Sequence, residues 1–489
     1  MILSIGSGLL ADIDVIVSKR DEVYVKVTCE RHIAKELSEH FTFFVPGYKF
    51  VPAYRNKIWD GKIRLYNLKT NQIYYGLTSH IQSWAEEKNY SVEIENNFNA
   101  KKEFSLHEAK EFTQELNLTK EPRDYQLKAF ALAVRNHRGV LISPTASGKS
   151  LIIYLITRYY NARTLIIVPT TSLVSQLATD FADYGYESDR FVHRIYAGQD
   201  KHTDKQITIS TWQSIYELPK EYFKSFEVII GDEAHQFKAQ SLTSIMTKAT
   251  DTQYRFGTTG TLDDSQVNEL VLRGLFGDVH KIVETAELIK RGNLAQLKIE
   301  VLTLNHPKTY RRQYTYQEEV EHIIGYAPRN RFIRNLALSL KGNTLILYAR
   351  VESHGQILYD EIKSKHDDVF FIHGGVETEE REDVRKIVNE SKNSIIVASY
   401  GTFAQGINIV NLHNIIFASP TKSRIRTLQS IGRGLRQSAE KQHCKLFDIA
   451  DNLTVNKKKN YTLNHLIERV KMYNSEQFPY ELHSIDLRD

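Results

Sequence analysis

Two short stretches hold residue types whose spacing implies chemistry on phosphate. Ser143-Pro-Thr-Ala-Ser-Gly148-Lys149-Ser150 follows the aliphatic run Val140-Leu-Ile142 and precedes Leu151-Ile-Ile-Tyr-Leu155, a stretch with helical potential. A strand, loop and helix in that order surround phosphate oxygens with backbone N–H groups and a helix N-terminus. In this reading Thr145, Ala146, Ser147 and Gly148 line the oxygens, Lys149 reaches the β and γ phosphates, and the Ser150 hydroxyl ligates Mg²⁺. Ser143 departs from the general pattern, which has Gly at the first position. Gly-Lys-Ser alone is also found in ordinary strand-to-helix turns. The second stretch, Val228-Ile-Ile-Gly-Asp232-Glu233-Ala-His235, sets two carboxylates directly after an aliphatic run. Asp232 suits a Mg²⁺ ligand and Glu233 a base that orients and deprotonates an attacking water. Polar strand ends commonly carry such pairs, but a phosphate loop and a carboxylate pair at the carboxyl edge of one parallel sheet imply ATP hydrolysis.

That requirement is met by the runs around them. Val140–Ile142, Leu165–Val168, Ile207–Ile209 and Val228–Ile230 alternate with helical stretches, the pattern of a parallel sheet covered by helices. A second set follows after about Lys298, at Leu345–Tyr348, Val369–Ile372, Ile395–Val397 and Ile415–Phe417. The first hundred residues differ. Glu22–Val27 and Lys62–Tyr66 alternate polar and apolar residues, which predicts antiparallel strands with one wet face. The helical face Phe104, Leu106, Ala109, Phe112 and Leu116 reads as a connector. The expected architecture is α/β: a small α+β N-terminal domain over 1–100, then two parallel-sheet lobes over 101–298 and 299–489.

Composition sets outer limits. A chain of 489 residues predicts about three domains. Its 41% hydrophobic and 25% charged content excludes wholesale disorder. The net charge of +5 is too mild to identify a polyanionic partner by itself. Cys29 and Cys444 form no metal-binding or disulfide pattern and read as small hydrophobes in a reducing compartment. Ser4, Gly6, Ser7, Gly8, Asp12 and Asp14 interrupt the stretch Met1–Ile16, which has no basic flank and resembles neither a signal peptide nor a membrane span. A cytosolic protein without membrane association is the expectation.

From Arg123 to Arg436 the order of motifs resembles the superfamily 2 helicases and translocases, whose core is a tandem pair of RecA-like lobes. Arg123-Asp-Tyr-Gln126 resembles their adenine-reading motif, Ser143–Ser150 motif I, and Val168-Pro169-Thr170-Thr171 motif Ia. Ser210-Thr211-Trp212-Gln-Ser214 is similar to the motif after it, Asp232–His235 to motif II, and Thr259-Gly-Thr261 to the segment coupling hydrolysis to strand movement. Tyr348-Ala-Arg350 resembles motif IV, Ala398–Asn408 motif V, and Gln429-Ser-Ile-Gly-Arg433-Gly-Leu-Arg436 motif VI. The resemblance implies ATP and Mg²⁺ as cofactors, with Gly406 and Asn408 near the nucleotide and Gln429, Arg433 and Arg436 at the γ phosphate. The two arginines, spaced i and i+3, are expected along one side of a helix. A basic surface helix is the bland alternative, because Thr421–Lys441 has six basic residues against one acid. The tracking strand is implied at Pro169, Thr170, Thr211, Trp212, Arg350, Gly401 and Thr402, mostly through phosphate and sugar.

The segment Gly47–Arg64 holds five basic residues, one acid and four aromatics, a mixture suited to phosphate contact and base stacking. Lys57, Trp59, Lys62 and Arg64 are its principal candidates, although Phe50 and Trp59 also fit a small core. This segment and the tail Asn460–Tyr473 are similar to the UvsW family of phage recombination and fork-remodelling helicases. That likeness implies 3′ to 5′ movement on branched and single-stranded DNA, RNA–DNA hybrids within R-loops, and a host-cytoplasmic setting. Protein partners stay open, with single-stranded-DNA-binding or recombination proteins as the implied class. An RNA helicase and a restriction-system motor subunit share the core motifs and remain alternatives. Lys457-Lys-Lys459 reads as a solvated helix start.

Overall fold

The computed structural model describes residues 13–98, 100–196, 198–237, 239–262, 265–404, 409–436 and 441–488. Gly406, Asn408 and the first twelve residues, which figure in the sequence reading, lie outside these. The chain divides into two units, residues up to 142 with 150–282, and residues 143–149 with 283–489.

The N-terminal domain contributes β1 (Val15–Lys19), β2 (Tyr24–Cys29), β3 (Thr42–Phe44), β4 (Lys62–Arg64), β5 (Gln72–Tyr74) and β6 (Val92–Ile94). Its main sheet runs β5-β2-β1-β6, and β3 and β4 form a separate antiparallel ribbon. The pairs β1–β2 and β2–β5 are antiparallel with alternating burial, as expected, but β1–β6 is parallel. A parallel neighbour requires a crossover, and the helix Thr78–Glu87 precedes β6 as part of one.

The first lobe supplies β7 (Arg138–Ile142), β8 (Thr164–Val168), β9 (Val192–Ile195), β10 (Ile207–Thr211), β11 (Val228–Asp232), β12 (Tyr254–Thr259) and β13 (Val279–Lys281). They form one parallel sheet in the order β13-β7-β12-β11-β8-β10-β9. The central strands β8 and β11 are largely aliphatic because both faces are covered, whereas β9 and β13 at the sheet edges carry His with Arg or Lys. Leu165, Ile167 and Ile229 join one apolar cluster, whereas Ile166, Val168, Val228 and Ile230 join another, the two-residue alternation of a strand. The predicted connector is the helix Leu106–Glu115, started by a Ser105/Glu108 capping box, with Phe104 and Ala109 buried in the second cluster.

The first of those clusters also contains Val15, Leu37, Ile73 and Trp84, so the N-terminal domain and one sheet face share a continuous core. Backbones meet closely there: a Cβ on Gly76 would lie 1.9 Å from the Arg273 carbonyl oxygen. Arg138 on β7 donates to Glu22 at 3.0 Å and lies 3.6 Å from the centre of the Tyr75 ring. Burial pushes its pKa down to about 10 despite these partners.

The second unit holds β14 (Gln296–Asn305), β15 (Thr344–Tyr348), β16 (Val369–Ile372), β17 (Ile395–Ser399), β18 (Asn414–Phe417), β19 (His443–Asn452) and β20 (Tyr480–Asp486). These also make one parallel sheet, ordered β16-β17-β15-β18-β19-β14-β20. Cys444 on β19 is buried and Cys29 half-buried, and both are free thiols. Among the described residues no helix is long and apolar enough to cross a membrane.

A buried histidine makes this second fold pH-sensitive. His354 Nδ1 lies 2.9 Å from Ser419 Oγ, and burial, aided by the nearby Arg329 cation, pushes its pKa down to about 3. An unfolded histidine titrates near 6.5, so below that pH the unfolded chain takes a proton that the folded chain refuses until about pH 3. Stability is therefore lost as pH falls through 6.5, by about 2 kcal/mol at pH 5 from this group. Urea unfolding of His354→Asn should show a flatter pH dependence between 7 and 5; an unchanged slope would contradict the assignment.

Candidate active site and nucleic-acid contacts

In the first lobe the candidate residues sit where parallel strands end. β7 runs into the loop 143–148 and then into the helix Lys149–Tyr160. Within the loop Ser143 Oγ donates to Ser147 Oγ at 2.6 Å, both side chains being fully buried, and Lys149 Nζ donates to the Ser143 carbonyl at 3.5 Å. Ser143 is not among the residues with positive φ, so its position places no demand for glycine. Its hydroxyl instead ties the loop together. Ala146 and Gly148 are left-handed, at φ 67° and 81°, and alternate with residues that are not, the backbone form of an anion-binding nest.

Asp232 closes β11, and Thr258 Oγ1 on neighbouring β12 donates to its Oδ1 at 2.8 Å. The next residue, Glu233, turns into the left-handed region (φ 52°, ψ 51°), which ends the strand and redirects its carboxylate. That carboxylate lies 3.3 Å from His235 Nδ1, and the same nitrogen lies 3.0 Å from Thr259 Oγ1. Thr259 Oγ1 donates in turn to the Thr261 carbonyl at 2.9 Å. A chain of close polar contacts thus leads from Glu233 through His235 to Thr259-Gly-Thr261.

One partner of this site was not legible in the sequence. Ser150 Oγ and Tyr184 OH lie 2.8 Å apart in a hydrogen bond. Tyr184 immediately follows the helix Thr171–Asp183, and burial raises its pKa to about 12, so it is a neutral phenol at physiological pH. At the start of the helix Asp124–Asn136, the backbone N–H of Arg123 donates to Gln126 Oε1 at 2.8 Å, which fixes the amide orientation.

The candidate strand contacts occupy the next two strand ends. Pro169 and Thr170 follow β8, with Thr170 capping the helix Thr171–Asp183. Thr211 ends β10, its hydroxyl 2.8 Å from Ser214 Oγ, and Trp212 starts the following turn. Gln213 Nε2 donates to the Pro169 carbonyl at 3.4 Å, joining the two motifs. Strands β7, β12, β11, β8 and β10 are consecutive in the sheet. With a strand spacing of about 4.8 Å, β11 and β10 are roughly 10 Å apart.

In the second unit Arg350 follows β15, with Nη1 3.7 Å from Glu321 Oε1. Gly401 and Thr402 lie on the short helix Tyr400–Ala404 after β17, where Ser399 Oγ is 2.8 Å from Thr402 Oγ1. Gln429 and Arg433 lie on the helix Arg424–Gly434, and the Arg433 guanidinium is 5.4 Å from the Phe403 ring centre, bringing motifs V and VI together. The expectation of both arginines on one helix side is corrected. The helix ends at Gly434, so Arg436 lies beyond its cap, Leu435.

The N-terminal segment also departs from expectation. Trp59 is partly buried, and its indole N–H donates to the Lys62 carbonyl at 2.9 Å, so it fastens a turn. Phe50, considered for the core, is 75% exposed, and Ile58 is 80% exposed. Lys57 is exposed, with left-handed φ 56°. Lys62 Nζ lies 4.9 Å from the Phe44 ring centre, and Arg64 pairs with Asp60, a hydrogen bond that lowers the Asp60 pKa. Elsewhere Glu300, Glu481 and His483 gather, but Lys298 binds both carboxylates, making the group an ion-pair cluster.

Three family models match the chain. Residues 12–95 match the family described as "DNA helicase UvsW, N-terminal", 119–264 match "Type III restriction enzyme, res subunit", and 328–438 match "Helicase conserved C-terminal domain". The ATP-dependent DNA helicase uvsW of Enterobacteria phage T4 is 35% identical over 97% of this chain and 100% of its own length. The crystal structure of T4 UvsW superimposes with a TM-score of 0.53 at 33% identity, covering 97% of this chain and all of that one. A DNA 3'-5' translocase XPB2 of Sulfurisphaera tokodaii is 28% identical over 40% of this chain and 43% of its own length. With a relative this similar over nearly its whole length, and an accessory domain matched as well as both lobes, the chain belongs to the UvsW family of superfamily 2 DNA helicases.

Proposed function

We propose that the chain is an ATP-dependent DNA helicase and translocase, moving 3′ to 5′, that remodels forks, Holliday junctions, R-loops and D-loops in phage recombination, repair and replication. The T4 relative is named an ATP-dependent DNA helicase and the Sulfurisphaera relative a 3'-5' DNA translocase. The observation that carries the reading is the path Glu233, His235, Thr259, Thr261, on a sheet edge that also bears Pro169, Thr170, Thr211 and Trp212.

The donors suit Mg-ATP. The Ser150 hydroxyl and Asp232 carboxylate are hard oxygen ligands, and the loop has the backbone form of an anion nest. Mg²⁺ supplies charge neutralisation at the phosphates when bound. Thr145, Ala146, Ser147, Gly148 and Lys149 hold the phosphates, Arg123 and Gln126 the adenine, and Ser150 and Asp232 the cation. Glu233 orients the attacking water and takes its proton. Gln429, Arg433 and Arg436 contribute the polar and cationic groups that offset charge at the γ phosphate. Arg350, Gly401 and Thr402 add strand contacts to those of the first lobe, and Lys57, Lys62 and Arg64 grip the branch. Single-stranded and branched DNA and RNA–DNA hybrids are the proposed substrates, single-stranded-DNA-binding or recombination proteins the proposed partners, and the host cytoplasm the proposed setting.

Strand displacement on duplexes with either overhang, on a fork and on a four-way junction, with matched RNA, tests this reading. Unwinding that requires ATP and a 3′ DNA tail, with junction processing, is expected. Equal action on RNA, or none on branched DNA, would overturn it. Tyr184 is proposed as a positioning residue for Ser150. Tyr184→Phe keeps the ring but loses the hydrogen bond, worth about 0.5–1.5 kcal/mol. The Mg²⁺ concentration for half-maximal binding of a fluorescent ADP analogue should rise about two- to tenfold, with metal-free binding unchanged; an unaltered Mg²⁺ response rejects the role.

A further inference from the structure

The second unit has a cavity that the motor motifs do not use. It has a volume of about 200 Å³ and lies past the carboxyl ends of β14 and β19, lined among others by Arg312, Tyr314, Glu319, Lys458, Lys459 and Tyr461. Sites for whole small-molecule ligands run to about 300–1,000 Å³, so this one suits a fragment of a longer polymer, such as one base with its phosphate.

Its charge is cationic where a ligand would meet it. Three cations face one carboxylate, and that carboxylate is already committed. Glu319 is buried and accepts from Asn460 Nδ2 at 2.8 Å, the Tyr461 N–H at 2.9 Å and the Thr462 N–H and hydroxyl, each at 2.7 Å. Its charge is spent on the start of the helix Tyr461–Ser475. The exposed Lys458 and Lys459 come from a turn closed by mutual backbone hydrogen bonds between Val455 and Lys458, with Asn456 and Lys457 both left-handed at φ 47° and 65°. Two successive left-handed residues, the first an asparagine, form the tight two-residue turn that joins an antiparallel bridge, and this turn carries the lysines to the cavity rim. Arg312 lies 4.7 Å from the Tyr314 ring centre, and Tyr461 is 50% exposed, so cations and aromatic faces alternate. That alternation is the chemistry of single-strand binding.

Position completes the argument. Glu321, the ion-pair partner of Arg350, lies on the helix Tyr316–Gly325, as does Glu319 in the cavity wall. All seven strands of this sheet are parallel, so Arg350, Thr402 and the cavity share its carboxyl edge. From this geometry we infer that the cavity is a second contact for single-stranded DNA, taking one unstacked nucleotide of a strand that passes Arg350. Tyr461 and Tyr314 offer faces to the base, and Arg312, Lys458 and Lys459 offer cations to the phosphates. The inference deepens the proposed function and rests on it.

The full chain tests it directly. Arg312→Ala/Lys458→Ala/Lys459→Ala is compared with Lys365→Ala/Lys386→Ala/Lys392→Ala, an equal charge change at exposed positions elsewhere in the same unit. Binding to a labelled oligothymidine is measured across salt concentrations. The cavity variant should bind at least about tenfold more weakly at physiological salt, with the log–log salt slope reduced by about 2, while the control keeps both and each variant keeps its DNA-independent ATPase. Tyr461→Ala should lose at least about fivefold in affinity, and an iododeoxyuridine-substituted strand should photocrosslink to Tyr461 or Tyr314. Equal slopes in the two triple variants, or crosslinks that avoid both tyrosines, overturn the inference with the motor reading intact. Failure of the unaltered chain to bind the oligonucleotide overturns both.

Discussion

Glu233→Gln is expected to bind ATP as the unaltered chain does and to hydrolyse it about 10²- to 10⁴-fold more slowly. The amide keeps the shape and loses the basicity, so a water held beside the γ phosphate has no proton acceptor. The geometry sharpens the expectation. Glu233 and Thr259 meet at one nitrogen of His235, at 3.3 and 3.0 Å, so the amide also alters the link that continues to Thr261. DNA stimulation of the residual rate should fall along with the rate. Lys149→Ala differs in kind, because removing the phosphate cation should abolish nucleotide binding and turnover together. Fluorescent-nucleotide titration with phosphate-release assays separates the two variants. Normal DNA-stimulated release by either one removes its residue from the reaction.

Asp451→Ala should destabilise the second unit by about 3–5 kcal/mol. Asp451 Oδ1 accepts from Arg329 Nε at 2.8 Å and lies 2.9 Å from His306 Nε2, and none of the three side chains reaches solvent. Burial alone would raise the Asp451 pKa, but Arg329 and His306 hold it below the ordinary carboxylate value. The alanine variant leaves the Arg329 guanidinium in a dry interior with its other recorded contact, the Ala418 carbonyl at 2.8 Å, as insufficient compensation. Urea unfolding followed by a probe in this unit measures the loss. A change under about 1 kcal/mol would mean that water reaches the arginine.

The sheets were legible because strands buried on both faces must be aliphatic, and Leu165–Val168 and Leu345–Tyr348 announce themselves that way. The loop and carboxylates were legible because their chemistry fixes residue type as well as spacing. What escaped depends on pairing between distant segments. Nothing in the short run Val92–Ile94 states that β6 lies parallel to β1, since direction is set by the path between them. Trp59 and Phe50, which the sequence reads alike as fitting a small core, part company for a similar reason. A tryptophan with a donor N–H finds a carbonyl three residues on, whereas the phenyl ring has no such tie and stands out in solvent. Tyr184 was invisible because its partnership with Ser150 spans 34 positions and no motif records it.

The shared core between accessory domain and first lobe has a mechanical corollary. With Val15, Leu37 and Trp84 in the same apolar cluster as Leu270 and Phe276, and the backbone at Gly76 pressed against Arg273, the accessory domain and the first-lobe sheet pack as one body. Under the proposed function, a load that a fork places on the accessory domain would therefore pass without slack to the sheet that carries Asp232.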